Sequence, residues 1–442
     1  MIIIYILINL MIFMDLKFMI FKYFMSCLLM MLSLKLLFKL CSFNKLMYIS
    51  LGISMNSYSF MMIMLSMWIF GIIFMFLKSQ NILLCLKLNM LLLINLYLFF
   101  LSSYFFFFYF MFEVNLILIF FIIIKWGVGE KRLEAAYYMM FYTLFFSLPF
   151  LMFLFILMNK MMIDLMNLMM VIMEIKMFNM NCYFFMFMMM TFFVKIPMYL
   201  FHGWLLKAHV EAPVFGSMIL AAILLKLGTY GLLQMMMMFF NLFIKLKIYI
   251  MFFSIMGCLI LSILCLRQMD MKILVAYSSI VHMGILISSM MTFFKISVIG
   301  GYIIMVAHGL CSSGLFYLVN VCYQETNSRL MLINKGMMSY LPKMSLMWFL
   351  LCSSNMSAPI SLNLVGEIFL LMGVLNWMLY MLVSMILFCM LSFIYSLYLF
   401  CYIQHGHMNF YLKICGSKMI DYLVLILHWI PLNFMFLKLD FF

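Results

Sequence analysis

Charged side chains are scarce in this sequence, and no stretch of the chain collects them. Asp, Glu, Lys and Arg make up 9% of the 442 residues, and 70% of the residues are hydrophobic. Soluble domains contain about 25% charged residues, so this composition excludes a soluble globular protein and predicts many membrane spans of about 20 residues each. The 12 cysteines are scattered without a CxxC pair, so neither a disulfide framework nor an iron–sulfur site is expected.

Arginine and alanine are also scarce. Arginine occurs only at Arg132, Arg267 and Arg329, whereas methionine occurs 60 times and phenylalanine 52 times. Lysine takes the place of arginine, and Met, Ile, Phe and Leu take the place of Ala and Val, which is the bias of AT-rich codons. So much methionine is most simply explained if ATA is read as Met, as in many animal mitochondrial genomes. The sequence therefore predicts an organelle-encoded protein.

The net charge is +14, but the basic residues do not form a nucleic-acid-binding patch, and no nucleic-acid partner is expected. Most lysines stand at the ends of apolar runs, where they reach lipid headgroups and bias the orientation of a membrane protein. The odd-numbered loops between predicted spans carry the greater part of the Lys and Arg residues, for example Lys78, Lys131 and Lys335. The positive-inside rule places these loops on the inner side of the membrane and both termini on the outer side.

The hydrophobic runs predict an all-α polytopic membrane protein with about 14 transmembrane helices. The N-terminal run has neither a basic start nor a small-residue cleavage site, which indicates a first span and not a signal peptide. In order, the predicted spans cover approximately residues 1–16, 18–38, 50–76, 81–100, 104–125, 135–158, 183–206, 216–238, 246–266, 273–292, 297–322, 341–376, 378–403 and 418–437.

Two lysines lie inside apolar segments of the seventh and eighth spans, Lys195 and Lys226. A charge in hydrocarbon costs a few kcal/mol even on insertion scales, so such a residue indicates a functional site. Lys195 is followed by Pro197, which breaks helical hydrogen bonding, and a broken helix beside a charge is typical of ion pathways in transporters. The alternatives are a packing kink at Pro197 and a lysine that extends towards the membrane surface.

Further titratable residues fall in the middle of other spans. Glu113 lies roughly 14 Å into the fifth span by helical rise, and His282 and His308 lie within the tenth and eleventh spans. In the twelfth span, Pro359 precedes Glu367, so a predicted break again stands close to a charge. The alternative is that these groups only stabilise packing, as buried histidines commonly do. Histidine titrates near physiological pH, which suits a proton relay.

The motifs that contain these residues resemble the NADH–ubiquinone oxidoreductase chain 4 family, the antiporter-like membrane subunits of respiratory complex I. The resemblance covers about residues 100 to 405 and is specific in combination. Its strongest part reads KIPMYLFHGWLLKAHVEAPVFGSMILAAILLKLGTYGLL, where the family commonly has proline at the position of Leu206. The other matching segments are FEVNLILIFFIIIKWG, KRLEAAYYMMFYTLFFSLPFL, LRQMDMKILVAYSSIVHMG, AHGLCSSGLFYL and LNLVGEIFLL.

The resemblance implies two inverted five-helix repeats, spans four to eight and nine to thirteen, with the seventh and twelfth helices broken. It divides the chain into N-terminal helices 1–4 (1–100), a proton-translocating antiporter-like core (101–405) and a C-terminal helix (406–442). It also implies that protons cross the membrane through a buried relay formed by Glu113, Lys195, Lys226, His282, His308 and Glu367.

The same resemblance implies a place in the mitochondrial inner membrane. The expected partners are the other membrane-arm subunits of complex I and membrane lipids, with cardiolipin as a candidate. NADH, FMN, iron–sulfur clusters and ubiquinone are expected in the complex, with no cofactor or metal bound by this chain. Two alternatives are a cation/proton antiporter subunit outside complex I and a passive membrane scaffold. The row of buried charges argues against a scaffold, and the codon bias argues against a bacterial antiporter.

Overall fold

The structure is a computed structural model that describes residues 18–40, 47–50, 53–78, 82–161, 164–166, 182–407 and 416–439. The predicted first span, 1–16, lies outside the described residues. Each of the other predicted spans coincides with a helix or with a pair of helices. Ten of the described helices are long and apolar enough to cross a membrane. The chain is therefore an all-α, multi-pass membrane protein, as the hydrophobic runs predict.

The helices are numbered here in chain order. They are α1 (Phe18–Leu40), α2 (Ser57–Phe76), α3 (Ile82–Leu101), α4 (Phe105–Trp126), α5 (Arg132–Met161), α6 (Cys182–Lys195), α7 (Gly203–Glu211), α8 (Val214–Ile219), α9 (Leu225–Met238), α10 (Phe240–Cys265), α11 (Met271–Met290), α12 (Lys295–Thr326), α13 (Met337–Tyr340), α14 (Pro342–Asn355), α15 (Leu362–Trp377), α16 (Leu382–Gln404) and α17 (Met419–Phe434).

A small antiparallel hairpin precedes α2, and the hydrophobic pattern did not predict it. Its strands are β1 (Met47–Ser50) and β2 (Ile53–Met55). The predicted span 50–76 is correspondingly shorter in the structure, since α2 begins at Ser57. Alternating apolar residues over so short a run cannot distinguish a strand from the first turn of a helix.

Two segments lie at the centre of the molecule. The stretch from Val214 to Met238 and the 32-residue helix α12 are both enclosed by other helices along their most apolar windows. By contrast, two thirds of the corresponding windows of α5, α16 and α17 face outward. The central position of α9 and α12 matters because α9 carries Lys226 and α12 carries His308.

The predicted break at Pro197 is confirmed, because α6 ends at Lys195 and α7 begins at Gly203. Proline has no N–H to donate to the Phe193 carbonyl, and the Met198 N–H takes that acceptor at 3.1 Å. This shift leaves the Val194 carbonyl without its helical donor, and the Trp204 indole N–H donates to it at 3.0 Å. α7 runs through Leu206 without interruption.

The predicted break at Pro359 is confirmed too, and its backbone hydrogen bonds follow the same pattern. α14 ends at Asn355 and α15 begins at Leu362. The Ala358 N–H donates to the carbonyl of Ser353, five residues earlier, at 3.0 Å. The neighbouring carbonyl of Ser354 accepts from the Ser357 N–H at 3.3 Å and, more closely, from the side-chain amide of Asn363 at 2.7 Å. In both breaks, a side chain from the second half-helix satisfies the carbonyl that the first half-helix exposes.

A third irregularity, a π-helical turn over Leu220–Leu224, connects α8 to α9. The Leu225 N–H donates to the carbonyl of Leu220, five residues earlier. The Ala221 carbonyl, which would pair with Leu225 in an α-helix, accepts from the ammonium of Lys226. π-helical turns occur frequently at functional sites, and no residue type in LAAIL indicates one.

The Trp204 hydrogen bond gives a testable prediction about the first break. Trp204→Phe keeps most of the buried ring but leaves the Val194 carbonyl unpaired, at a cost of about 1–3 kcal/mol. We expect the protein to be inactivated at a lower temperature, as measured by a thermal inactivation curve. Trp377→Phe is the control, because the described residues offer no hydrogen bond to that partly exposed indole. Equal inactivation temperatures for the two variants would contradict this role for Trp204.

Candidate functional site

Glu113 and Lys195 form a buried ion pair between α4 and the first half of the broken helix. Glu113 Oε1 lies 3.6 Å from Lys195 Nζ, and their side chains are 14% and 4% exposed. The Lys195 ammonium also donates to the Phe112 carbonyl at 3.4 Å and lies 2.7 Å from the centroid of the Phe112 ring. Carbonyl, aromatic ring and carboxylate together compensate for the water that this cation loses on burial.

The structure brings the other four predicted residues into one continuous row. Lys226 Nζ lies 3.0 Å from His308 Nδ1, and the rings of His308 and His282 have centroids 5.6 Å apart. His282 Nδ1 lies 3.3 Å from Glu367 Oε1. All four side chains are less than 10% exposed. His308 therefore stands beside Lys226 and His282 beside Glu367, an order that the sequence did not determine.

The chemistry of these contacts limits the tautomers of the two histidines. A charged lysine is a donor only, so His308 Nδ1 must accept from it, and a neutral His308 then carries its proton on Nε2. At His282, a donor at Nδ1 suits an ionised Glu367, while Nε2 lies 3.1 Å from the hydroxyl of Tyr395. Each histidine thus has one nitrogen towards a charged group.

Tyr395 is the contact residue that the sequence analysis missed. It lies on α16, is fully buried, and directs its hydroxyl to His282 Nε2. No signal in the sequence separates Tyr395 from the chain's other tyrosines, because only helix packing brings α16 against α11. A hydrogen-bond partner at the second nitrogen fixes the orientation of a histidine ring.

The two clusters, Glu113–Lys195 and the row from Lys226 to Glu367, adjoin through backbone packing. A Cβ atom on Gly228 would lie only 3.2 Å from Lys195 Cβ and 2.8 Å from Ile196 Cγ1. Glycine therefore lets α9 approach the broken helix closely. Among the described residues, no hydrogen bond or ion pair joins Lys195 to Lys226, so any coupling between them acts through the electric field.

A second polar group surrounds the end of α7, towards the basic loops. His209 is fully buried and stacks on Phe316 at a centroid distance of 4.6 Å. Among the residues that the structure describes, neither of its ring nitrogens has a hydrogen-bond partner, and its charged neighbours are Lys272 and Lys226. Lys272 donates to the Ala212 carbonyl at 3.2 Å.

A cavity of about 320 Å³ lies beside this group. Polar side chains from the α4–α5 connection, α5, α7, the α10–α11 connection and α11 line it, namely Lys131, Glu134, Lys207, Glu211, Gln268 and Tyr277. Charged groups of both signs at its wall make it suited to exchange protons with solvent. Across the part of the chain that the structure describes, no group of three or more His, Cys, Asp or Glu residues could hold a metal ion.

Comparisons with known proteins agree with this architecture. Residues 102–416 match the family model described as NADH:quinone oxidoreductase/Mrp antiporter, TM. NADH-ubiquinone oxidoreductase chain 4 of Apis mellifera ligustica is 51% identical over 394 residues, which cover 89% of this chain and 87% of the relative. Chain 4 of Aedes aegypti is 45% identical over 74% of this chain and 73% of its own length.

A solved structure has the same fold at lower identity. The structure of respiratory complex I from Thermus thermophilus with bound NADH contains a chain that is 19% identical and superposes with a TM-score of 0.82, covering 94% of this chain and 90% of that chain. This likeness shows the fold alone. The identity and coverage of the curated relatives show that the chain belongs to the NADH-ubiquinone oxidoreductase chain 4 family.

Proposed function

We propose that this chain is a proton-translocating membrane subunit of respiratory complex I in the mitochondrial inner membrane. The observation that carries the proposal is the buried row Lys226–His308–His282–Glu367, with the Glu113–Lys195 pair packed against it. Each member of the row can gain or lose a proton. Burying so many ionisable groups in a membrane protein is costly, so such residues mark ion pathways.

The Glu113–Lys195 pair is the switch in this proposal. Two unit charges about 4 Å apart interact by about 4 kcal/mol at an effective dielectric constant of 20, which is roughly a thousandfold in proton affinity. Separating Glu113 from Lys195 therefore favours release of a proton from Lys195, and restoring the contact favours its return. The break after Lys195, where Pro197 has no N–H to donate, supplies a place where the helix can bend.

The row from Lys226 to Glu367 is the conducting part. A charge change at Lys195 alters the field at Lys226, and a proton leaving Lys226 is taken up by His308 at 3.0 Å. His308 passes the proton to His282, and His282 passes it to Glu367 at 3.3 Å. Tyr395 keeps the His282 ring in the orientation that faces Glu367. We place the inner entry of protons at the cavity beside Glu211 and His209.

The energy for transport comes from outside this chain. Moving one charge against 100 mV requires about 2.3 kcal/mol, and we place the reactions of NADH, FMN, iron–sulfur clusters and ubiquinone in other subunits of the complex. Those membrane-arm subunits are the proposed partners. The methionine-rich, arginine-poor composition supports synthesis inside mitochondria and thus the inner membrane as location.

One prediction from this proposal concerns the Glu113–Lys195 pair. Glu113→Gln keeps the size of the side chain but removes its charge, and Lys195→Met removes the cation. We expect NADH oxidation and proton pumping to fall together by at least roughly tenfold, since a positioned proton-transfer group contributes about 10²–10⁴-fold. Both rates are measured in sealed membrane vesicles, with assembly verified on a native gel.

The matched controls are Glu130→Gln and Lys295→Met, which neutralise exposed side chains of the same types and should leave both rates unchanged. An assembled complex that pumps normally with Glu113→Gln would show that the buried pair only stabilises packing, as expected of a passive scaffold. Ion transport that persists without NADH oxidation would instead favour an antiporter outside complex I.

Another prediction from this proposal concerns Tyr395. Tyr395→Phe removes the hydroxyl beside His282 and keeps the ring in the core. Losing one hydrogen bond of about 1 kcal/mol should slow coupled pumping roughly fivefold and displace its pH profile, with assembly intact. Tyr398→Phe lies on the same helix, where the hydroxyl contacts the sulfur of Met269 and the side chain of Tyr402, and it should behave like the unmodified chain. An unchanged rate and pH profile for Tyr395→Phe would remove Tyr395 from the pathway.

A further inference from the structure

A cavity of about 420 Å³ opens at the membrane boundary on the side of the basic loops, separate from the relay. It lies where α2 and α4 end and where α8 and α17 begin, and its inner wall is formed by the last turns of α12. We call it the basic cavity. Its charged lining residues are Lys78, Lys125, Arg132 and Asp421.

The cations of the basic cavity form no ion pairs within the part of the chain that the structure describes. This holds for Lys78, Lys125 and Arg132, and Arg132 makes one side-chain hydrogen bond there, a 3.4 Å contact with the Gly127 carbonyl. The one acidic residue of the lining, Asp421, is already engaged. Its Oδ1 accepts from the Tyr317 hydroxyl at 2.6 Å, and its Oδ2 accepts from the Lys418 N–H at 2.9 Å.

Like charges crowd together at one end of this cavity. Lys418 lies beside Lys78, and the charge of Lys22 also reaches it. Lys22 is buried and donates to the Leu77 carbonyl at 3.3 Å. Partial desolvation and the neighbouring Lys418 ammonium lower the pKa of Lys78 below its ordinary value, and Asp421 opposes the change. Such crowding is unfavourable unless an anion enters between the cations.

The uncharged part of the lining indicates the kind of anion. Tyr317, Asn320 and Gln324 contribute polar side chains, and the apolar side chains include those of Phe76, Leu77, Val214, Phe215 and Ile420. Cations beside apolar residues at the ends of membrane-spanning helices match an amphiphile with a negative head and acyl chains. A free inorganic anion would leave these apolar side chains without a partner.

We propose that the basic cavity binds the phosphate group of an anionic phospholipid from the inner leaflet, with Lys78, Lys418 and Arg132 as the binding residues. The site is distinct from the relay, and the proposal does not depend on whether the relay moves protons. A lipid bound here would join α2, α4, α12 and α17, and so would stabilise the packing of the N-terminal and C-terminal helices against the core.

The test uses the purified complex containing this chain, reconstituted in phosphatidylcholine nanodiscs with increasing phosphatidylglycerol. Bound phosphatidylglycerol is counted by native mass spectrometry, with Lys78→Gln/Lys418→Gln as the variant. Neutralising two lysines near the membrane surface should weaken retention of the lipid by roughly tenfold or more, since each contributes about 1 kcal/mol. Lys78→Arg/Lys418→Arg keeps the charges and should restore it.

The matched control is Lys131→Gln/Lys343→Gln, which removes the same charge from exposed lysines outside the basic cavity and should bind lipid like the unmodified complex. Equal retention by all variants would overturn the proposal. So would millimolar inorganic phosphate displacing the lipid, which would indicate a site for free anions. Loss of a neighbouring subunit without loss of lipid would also overturn it, because the basic cavity would then bind an acidic protein segment.

Discussion

The cost of placing charge in hydrocarbon governs the interior of this protein. Lys195 is held by Glu113, by the Phe112 carbonyl and by the Phe112 ring, and Lys226 by His308 and the Ala221 carbonyl. Removing one partner would leave the other as an uncompensated buried charge, which is more costly than removing both. Because every contact of these lysines depends on another helix or on an irregular turn, the surrounding fold is constrained by them.

The two helix breaks and the π-helical turn are stabilised in the same physical way. In a membrane, each exposed carbonyl needs a donor, since lipid offers none. At the two breaks the donors are Trp204 and Asn363, and at the π-helical turn the donor is Lys226 itself. The third case differs because its donor is a titratable group. A change in the protonation of Lys226 therefore also changes the hydrogen bonding of the turn that precedes it, so charge and local backbone structure are linked there.

Two polar cavities lie on the same side of the described membrane domain. The cavity near His209 and the basic cavity both adjoin the loops that carry most of the lysines and arginines. The first has two cations and two carboxylates, which suits the proposed entry of protons. In the second, three cations stand against one carboxylate that is already hydrogen-bonded, which suits the proposed anionic headgroup.

The amino-acid sequence by itself determined the membrane class, the spans and the two breaks, because hydrophobic length and proline act locally along the chain. It also singled out Glu113, Lys195 and Lys226, since charge in an apolar run is visible without a fold. Only the tertiary structure decided that His308 adjoins Lys226 and that Tyr395 meets His282. It alone placed the cations of the basic cavity, which come from separate segments of the chain, in one place. Such contacts depend on how helices pack, and close packing joins residues whose separation along the chain carries no signal.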